Sequence, residues 1–197
     1  MAAEEVTMEM KVFFNNPFSA AGRWYKGNLH THTSNSDGVL SAQQMAYLYQ
    51  RSGYDFLSIT DHGRLTDVQG LSKPDFLVIP GEEISVGTSE VNTTFHLVAI
   101  NIWEEIPVKE GDCQENPQRV IDLIRAQGGE AILGHPYWSL LSVHDILPLE
   151  GYLGLEVYNT SCFHSIAKGH SLTHWDDLLT RGRRLLGFAT DDVHWHF

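Results

Sequence analysis

Short apolar runs alternate with amphipathic stretches from one end of the chain to the other. Phe56-Leu57-Ser58-Ile59-Thr60, Phe76 to Ile79, Phe95 to Ile100, Ala131-Ile132-Leu133, Gly154 to Tyr158 and Leu185 to Thr190 have strand length and strand composition. Trp24 to Thr33 reads as a further strand. Between them lie helix patterns. Ser41 and Gln44 have capping-box spacing and open a helix through Met45, Leu48 and Tyr49 that Gly53 can end. Asn116-Pro117 puts proline at a first helical position, Val120, Ile121 and Ile124 share the face that follows, and Gly128-Gly129 closes it. Leu172 to Thr180 is a third helix, and the polar stretch 104–117 is a loop. Strands alternating with helices predict an α/β domain with mostly parallel strands.

The strand ends carry the chemistry. His30-Thr31-His32 with Asp37, Asp61-His62, Glu82-Glu83, His96, Gly134-His135-Pro136 and Asp192-Val193-His194 follow in order. On a strand His30 and His32 point to one face, as do Asp192 and His194, whereas the neighbours Glu82 and Glu83 point opposite ways. Imidazole and carboxylate are ligands for divalent cations. In α/β folds, sites gather at the carboxyl ends of the strands. Pattern alone does not separate an open sheet from a barrel, but ligands on nearly every strand favour a ring, which brings all those ends together.

Composition sets limits on this picture. The chain has 197 residues, 42% of them hydrophobic, enough for one domain spanning 1–197 and its core. A formal net charge of -12 leaves no broad basic face, so nucleic acid is not the expected partner unless bound cations attract it. Cys113 and Cys162 form no C-x-x-C pair and read as reduced thiols. Met1 to Met10 lacks a signal-peptide pattern, and no apolar stretch is long enough for a bilayer, so the expected compartment is the cytoplasm, with no membrane association.

Read in order, the pieces resemble the PHP (polymerase and histidinol phosphatase) family: H-x-H with an acid behind it, D-H, G-x-E, a lone histidine, G-H-P and D-x-H. The resemblance spans residues 28–194, and its specificity lies in the order of the pieces. The segment from Gly22 through Asp37 and the run Gly154-Leu155-Glu156-Val157-Tyr158-Asn159 look most like a carbamate-hydrolase-like branch. Amidohydrolase barrels also begin with H-x-H, but the D-H, G-x-E and D-x-H pieces fit PHP better. The resemblance implies a distorted (β/α)7 barrel and a site for two to three divalent ions (manganese, iron or zinc). His30, His32, Glu83 and Asp192 would hold the first ion. Glu83 would bridge to a second, completed by His96 and His135. Asp37, His62 and His194 would hold the third. Glu83, Asp192 and His194 are the candidate catalytic residues.

Each assignment has a plainer alternative. Two unmetallated imidazoles at His30 and His32 would both need buried partners, which is costly. Asp37 precedes glycine and suits a turn, a role compatible with ligation. His96, a lone histidine in an apolar strand, has the strongest core reading. Asp61 is expected to orient a ligating imidazole, and Glu82 to lie behind the site or face solvent. His144, His164, His170, His174 and His196 match no motif position; of these, His164 is the candidate for the mouth of the site and for substrate contact. Lys26 and Arg64 could bind an anionic group and read equally as surface cations. The basic cluster Arg181-Gly182-Arg183-Arg184 follows a helix and suits its carboxyl end.

The leading expectation is a metal-dependent phosphoesterase in which a metal-bridging hydroxide hydrolyses a small phosphomonoester or phosphodiester. A carbamate, ester or amide hydrolase with the same site is the alternative, and a non-catalytic, metal-stabilised binding domain the third. The chain stops three residues after His194. That suggests a natural short form or a truncated one, with the last strand an unprotected edge or one covered by another subunit of a homo-oligomer.

Overall fold

In a computed structural model of the protein, residue 19 and residues 21–195 are described, so His196 lies outside them. The capping pair forms as the sequence suggests. Ser41 N donates to Gln44 Oε1 at 2.9 Å and Gln44 N donates to Ser41 Oγ at 3.3 Å, opening helix α1 (Ala42–Arg51). Caps of this kind contribute about 1 kcal/mol. The helix buries Ala42, Met45, Ala46 and Tyr49 against Leu57 and Ile59. Helix α2 (Pro117–Ala126) begins with Asn116 accepting from Gln118 N at 2.9 Å and buries Val120, Ile121 and Ile124. Three further helices are α3 (Val143–Ile146), α4 (Thr160–Ile166) and α5 (Leu172–Thr180).

The strands are β1 (Gly27–Asn28), β2 (Phe56–Ile59), β3 (Leu77–Val86), β4 (Phe95–Ile100), β5 (Glu130–Leu133), β6 (Gly154–Asn159) and β7 (Leu186–Thr190). They form one seven-stranded sheet in sequence order, curled until its two ends nearly meet. Closure is made beyond the regular strands. Thr31 bridges Val193, His32 N donates to Val193 O at 3.1 Å and Asp192 N to His30 O at 3.0 Å. The architecture is a distorted (β/α)7 barrel.

Two expectations are corrected. The strand drawn over Trp24 to Thr33 is regular only at Gly27–Asn28, because the residues after it peel away to carry the histidines and the Asp37 turn. The strand from Phe76 does not stop at Pro80-Gly81. β3 runs ten residues through both glutamates, and the Pro80 carbonyl still accepts from Asn101 N at 2.8 Å, just before the ladder with β4 begins at Gly81. Gly81 is required at this point, since a Cβ would lie 2.5 Å from Ala99 O on the adjacent strand. The sheet is mostly parallel, as the alternation suggests, with β4 the exception: it pairs antiparallel with both β3 and β5, while the remaining pairings are parallel.

The larger apolar core packs β3, β4 and β5 against α2 and the segment around Ile146, Leu149 and Tyr152. At β7, Leu186 is 54% exposed. No helix among the described residues is long and apolar enough to cross a membrane.

Candidate metal centre

Seven segments deliver polar side chains to one rim. His30 and His32 follow β1, Asp37 the next turn, His62 follows β2, and Glu83 lies within β3. His135 follows β5, and Asp192 and His194 follow β7. His96 reaches the same rim from near the amino end of β4, because that strand runs antiparallel to its neighbours. A Gly38 Cβ would sit 2.5 Å from His32 O, so only glycine lets the turn fold back and bring Asp37 over the histidines.

Glu83 is the hub, buried with 1% exposure. Its Oε2 lies 2.9 Å from His30 Nε2, 3.1 Å from His32 Nε2 and 3.4 Å from His62 Nδ1. Its Oε1 lies 2.8 Å from His96 Nδ1 and 3.1 Å from His135 Nε2. Asp192 Oδ1 stands 3.1 Å from His32 Nε2 and 3.3 Å from His30 Nε2. Asp37 Oδ2 lies 3.4 Å from His194 Nε2 and 3.7 Å from His62 Nε2. His135 and Asp192 both hold positive φ, 24° and 50°, a strain that the surrounding structure must sustain.

Five overlapping donor groups result, each with its ligand atoms within 4.8 Å of one another, and three of them are made wholly of the expected ligands: His30, His32, Glu83 and Asp192; Glu83, His96 and His135; His32, Asp37, His62 and His194. The chemistry of this set fits divalent cations. The sharpest sign is His32, which is fully buried while neither ring nitrogen makes a well-directed hydrogen bond. Carboxylate oxygens approach its Nε2 without pointing at an N–H, the arrangement expected of groups that converge on a shared ion.

The electrostatics carry the same imprint. Burial alone would lower the pKa of His32, but the adjacent Asp192 and Glu83 carboxylates outweigh it and raise the value to about 9. His30 is also raised, Asp192, Glu83 and Glu156 overcoming its burial. Burial would raise Glu83, yet the surrounding imidazoles, His30 foremost, hold it well below the usual carboxylate range. Burial pushes Glu82, on the other face of β3, up to about 7.

The remaining candidates separate. Asp61 does not orient an imidazole. Its carboxylate accepts from Thr33 N at 2.6 Å, Thr33 Oγ1 at 2.7 Å and Ser36 Oγ at 2.7 Å, and also from Thr66 Oγ1, so it braces the loop that carries Asp37. Glu82 is neither solvent-facing nor behind the donor groups, being buried and accepting from Ile106 N at 3.0 Å. A cavity of about 1090 Å³ opens onto the donor groups and is also lined by Lys26, Tyr49, Trp138, His164 and Trp195. Lys26 Nζ sits 4.0 Å from the Tyr54 ring centroid. Arg64 is exposed and does not line this cavity.

Sequence reasoning assigned no role to Glu156. Its 1% exposure and its 2.7 Å bond to His30 Nδ1 place it directly behind the donors. A carboxylate inside an otherwise apolar strand was the available signal.

No protein-family model matches the chain. Three solved structures, each covering 86% of this chain, share the architecture. One is a two-domain protein from Bacteroides vulgatus described as containing a predicted PHP-like metal-dependent phosphoesterase (TM-score 0.63, 21% identity). The fold is PHP-like. A Bifidobacterium adolescentis protein assigned as a metal-dependent phosphoesterase shares this PHP-like fold with TM-score 0.64 and 16% identity, 88% of it being covered. A Chromobacterium violaceum amidohydrolase, solved with sulfate and no metal, aligns with TM-score 0.59 and 16% identity, 87% of it being covered. The chain spans about half, 52%, of the B. vulgatus protein. In sequence, an uncharacterized Methanocaldococcus jannaschii protein is 27% identical, the match taking in 57% of this chain and 68% of that protein.

Proposed function

We propose that the protein is a metal-dependent phosphoesterase acting on a small phosphomonoester or phosphodiester. The observation that carries this reading is the convergence of three donor groups, linked through Glu83 and His32, at one cavity mouth. His30, His32, Glu83 and Asp192 would hold one divalent ion, Glu83, His96 and His135 a second, and Asp37, His62 and His194 a third. Manganese, iron and zinc all suit such nitrogen and oxygen donors. Bound there, these ions would supply Lewis acidity, which makes water a competent nucleophile near neutral pH and draws charge from a phosphoryl oxygen.

The protein's own groups do the rest. Glu83, Asp192, His30, His32 and His135 fix the geometry from buried positions, so little reorganisation accompanies reaction. Asp37 and His194 line the cavity, where the proton for a leaving alkoxide would be delivered. Trp138 stands edge-on to His96 and His135, with centroids 5.7 and 5.0 Å away, and walls the mouth.

The amidohydrolase with the same fold supports a second reading, hydrolysis of a carbamate, ester or amide carbonyl by the same centre. Purified protein reloaded with manganese, iron or zinc should hydrolyse p-nitrophenyl or bis-p-nitrophenyl phosphate. Preference for a naphthyl carbamate would select the second reading, and turnover of none of these would count against both.

A further inference from the structure

Glu156 and Asn159 lie three residues apart on β6, where a regular strand would turn them to opposite faces. The register slips between Glu156 and Tyr158: Glu156 pairs with Phe188 and Tyr158 with Ala189. This bulge inserts one residue and turns both side chains inward. What they meet there is specific. Glu156 Oε1 lies 2.7 Å from His30 Nδ1 and accepts from Thr190 Oγ1 at 2.7 Å. Its Oε2 accepts from His135 N at 2.8 Å and from Asn159 Nδ2 at 2.8 Å. Asn159 Nδ2 also reaches Asp192 Oδ2 at 3.1 Å.

We infer that Glu156, assisted by Asn159, is a positioning residue for the metal centre that sets three separate donors at once. With its carboxylate on Nδ1, His30 keeps its ring proton there and presents the Nε2 lone pair towards Glu83 and Asp192. The bond to His135 N holds the residue in its left-handed backbone conformation, which aims the ring at Glu83. Asn159 occupies Asp192 Oδ2 and leaves Oδ1 facing His30 and His32. Four partners fill the accepting capacity of Glu156, so it serves the centre without being a ligand itself. This inference rests on the metal reading of the site.

The test is Glu156→Gln, which keeps shape but replaces one acceptor with a donor. Whichever way the amide turns, its NH2 group opposes either His30 Nδ1–H or the His135 N–H. Zinc affinity, measured by competition with a chromophoric chelator well below the unfolding temperature, should fall by about 10- to 100-fold. Thr190→Val removes a bond to the same carboxylate without touching a donor and should leave affinity within about threefold of wild type, a margin well short of that loss. In the zinc-loaded wild type, long-range proton–nitrogen correlation spectra should show the His30 ring proton on Nδ1. A folded Glu156→Gln protein with unchanged zinc affinity overturns the inference. If that variant does not fold, a wild-type His30 proton on Nε2 overturns it equally. Failure of the wild type to bind zinc, manganese or iron would instead remove the metal reading beneath it.

Discussion

The imidazoles of His32 and His194 stack with centroids 4.2 Å apart and planes 16° from parallel. One follows the first strand and the other the last, so the stack lies on the seam that closes the barrel. His62 also packs against His32, with centroids 4.4 Å apart. Rings packed this closely, with the Glu83, Asp192 and Asp37 carboxylates at their nitrogens, hold their arrangement best around cations.

Metal removal should therefore loosen the seam before the rest. Chelator-treated protein is expected to unfold at a lower temperature than protein reloaded with zinc or manganese. At a free metal concentration 100-fold above Kd the gain is about 2.7 kcal/mol per site. Differential scanning calorimetry checks the shift, and an unchanged midpoint would argue that no ion binds the native state.

The metal-free protein should be most stable in mildly acidic solution. His32 is raised from 6.5 to about 9, so its contribution is complete below pH 6.5 and is lost as pH rises through about 9. Glu83 and Asp192 are lowered from 4.5 and 3.8, so theirs is present above those values and lost as pH falls below them. The favourable window for this cluster lies between 4.5 and 6.5. Bound metal competes with protons and should move the optimum upwards. Melting temperatures across pH, with and without metal, test both directions.

Glu83→Gln should abolish activity and cost the metal-free protein about 3–5 kcal/mol, because it leaves raised histidines buried without their shared counter-charge. Urea unfolding and metal analysis of the purified variant check this. Retention of full metal content would remove Glu83 from the centre of the scheme.

Tyr49 donates to Asp191 Oδ2 at 2.7 Å, and Asn28 Nδ2 reaches the same tyrosine hydroxyl at 3.1 Å, tying α1 to both ends of the sheet. Tyr49→Phe removes a bond to a charged acceptor and should cost about 1.5–3 kcal/mol. Hydrogen exchange in β7 should rise more than in β4, a pattern that a diffuse packing defect would not give.

Helices α1 and α2 were legible because their signals are local: a cap, an apolar stripe and a terminating glycine lie within a few turns. The donor residues were legible because histidines and acids are conspicuous at the ends of apolar runs. What escaped depends on distant partners. Nothing near Pro80 says that β3 continues, since its pairing with β4 is what extends it. Short α3 and α4 have too few turns to show a period. Glu156 looks like any strand residue until His30, 126 positions away, is placed against it. Asp61 looked like an imidazole partner by adjacency, and only the folded loop reveals the hydroxyls that claim it.

The closing bond from Asp192 N to His30 O has a bearing on biosynthesis. A nascent chain can stack most of its strands as it leaves the ribosome, yet the nest of donors stays open on one flank until the residues around Asp192 emerge. Any loading with cations is thereby deferred until the segment that follows β7 has emerged and closed that flank.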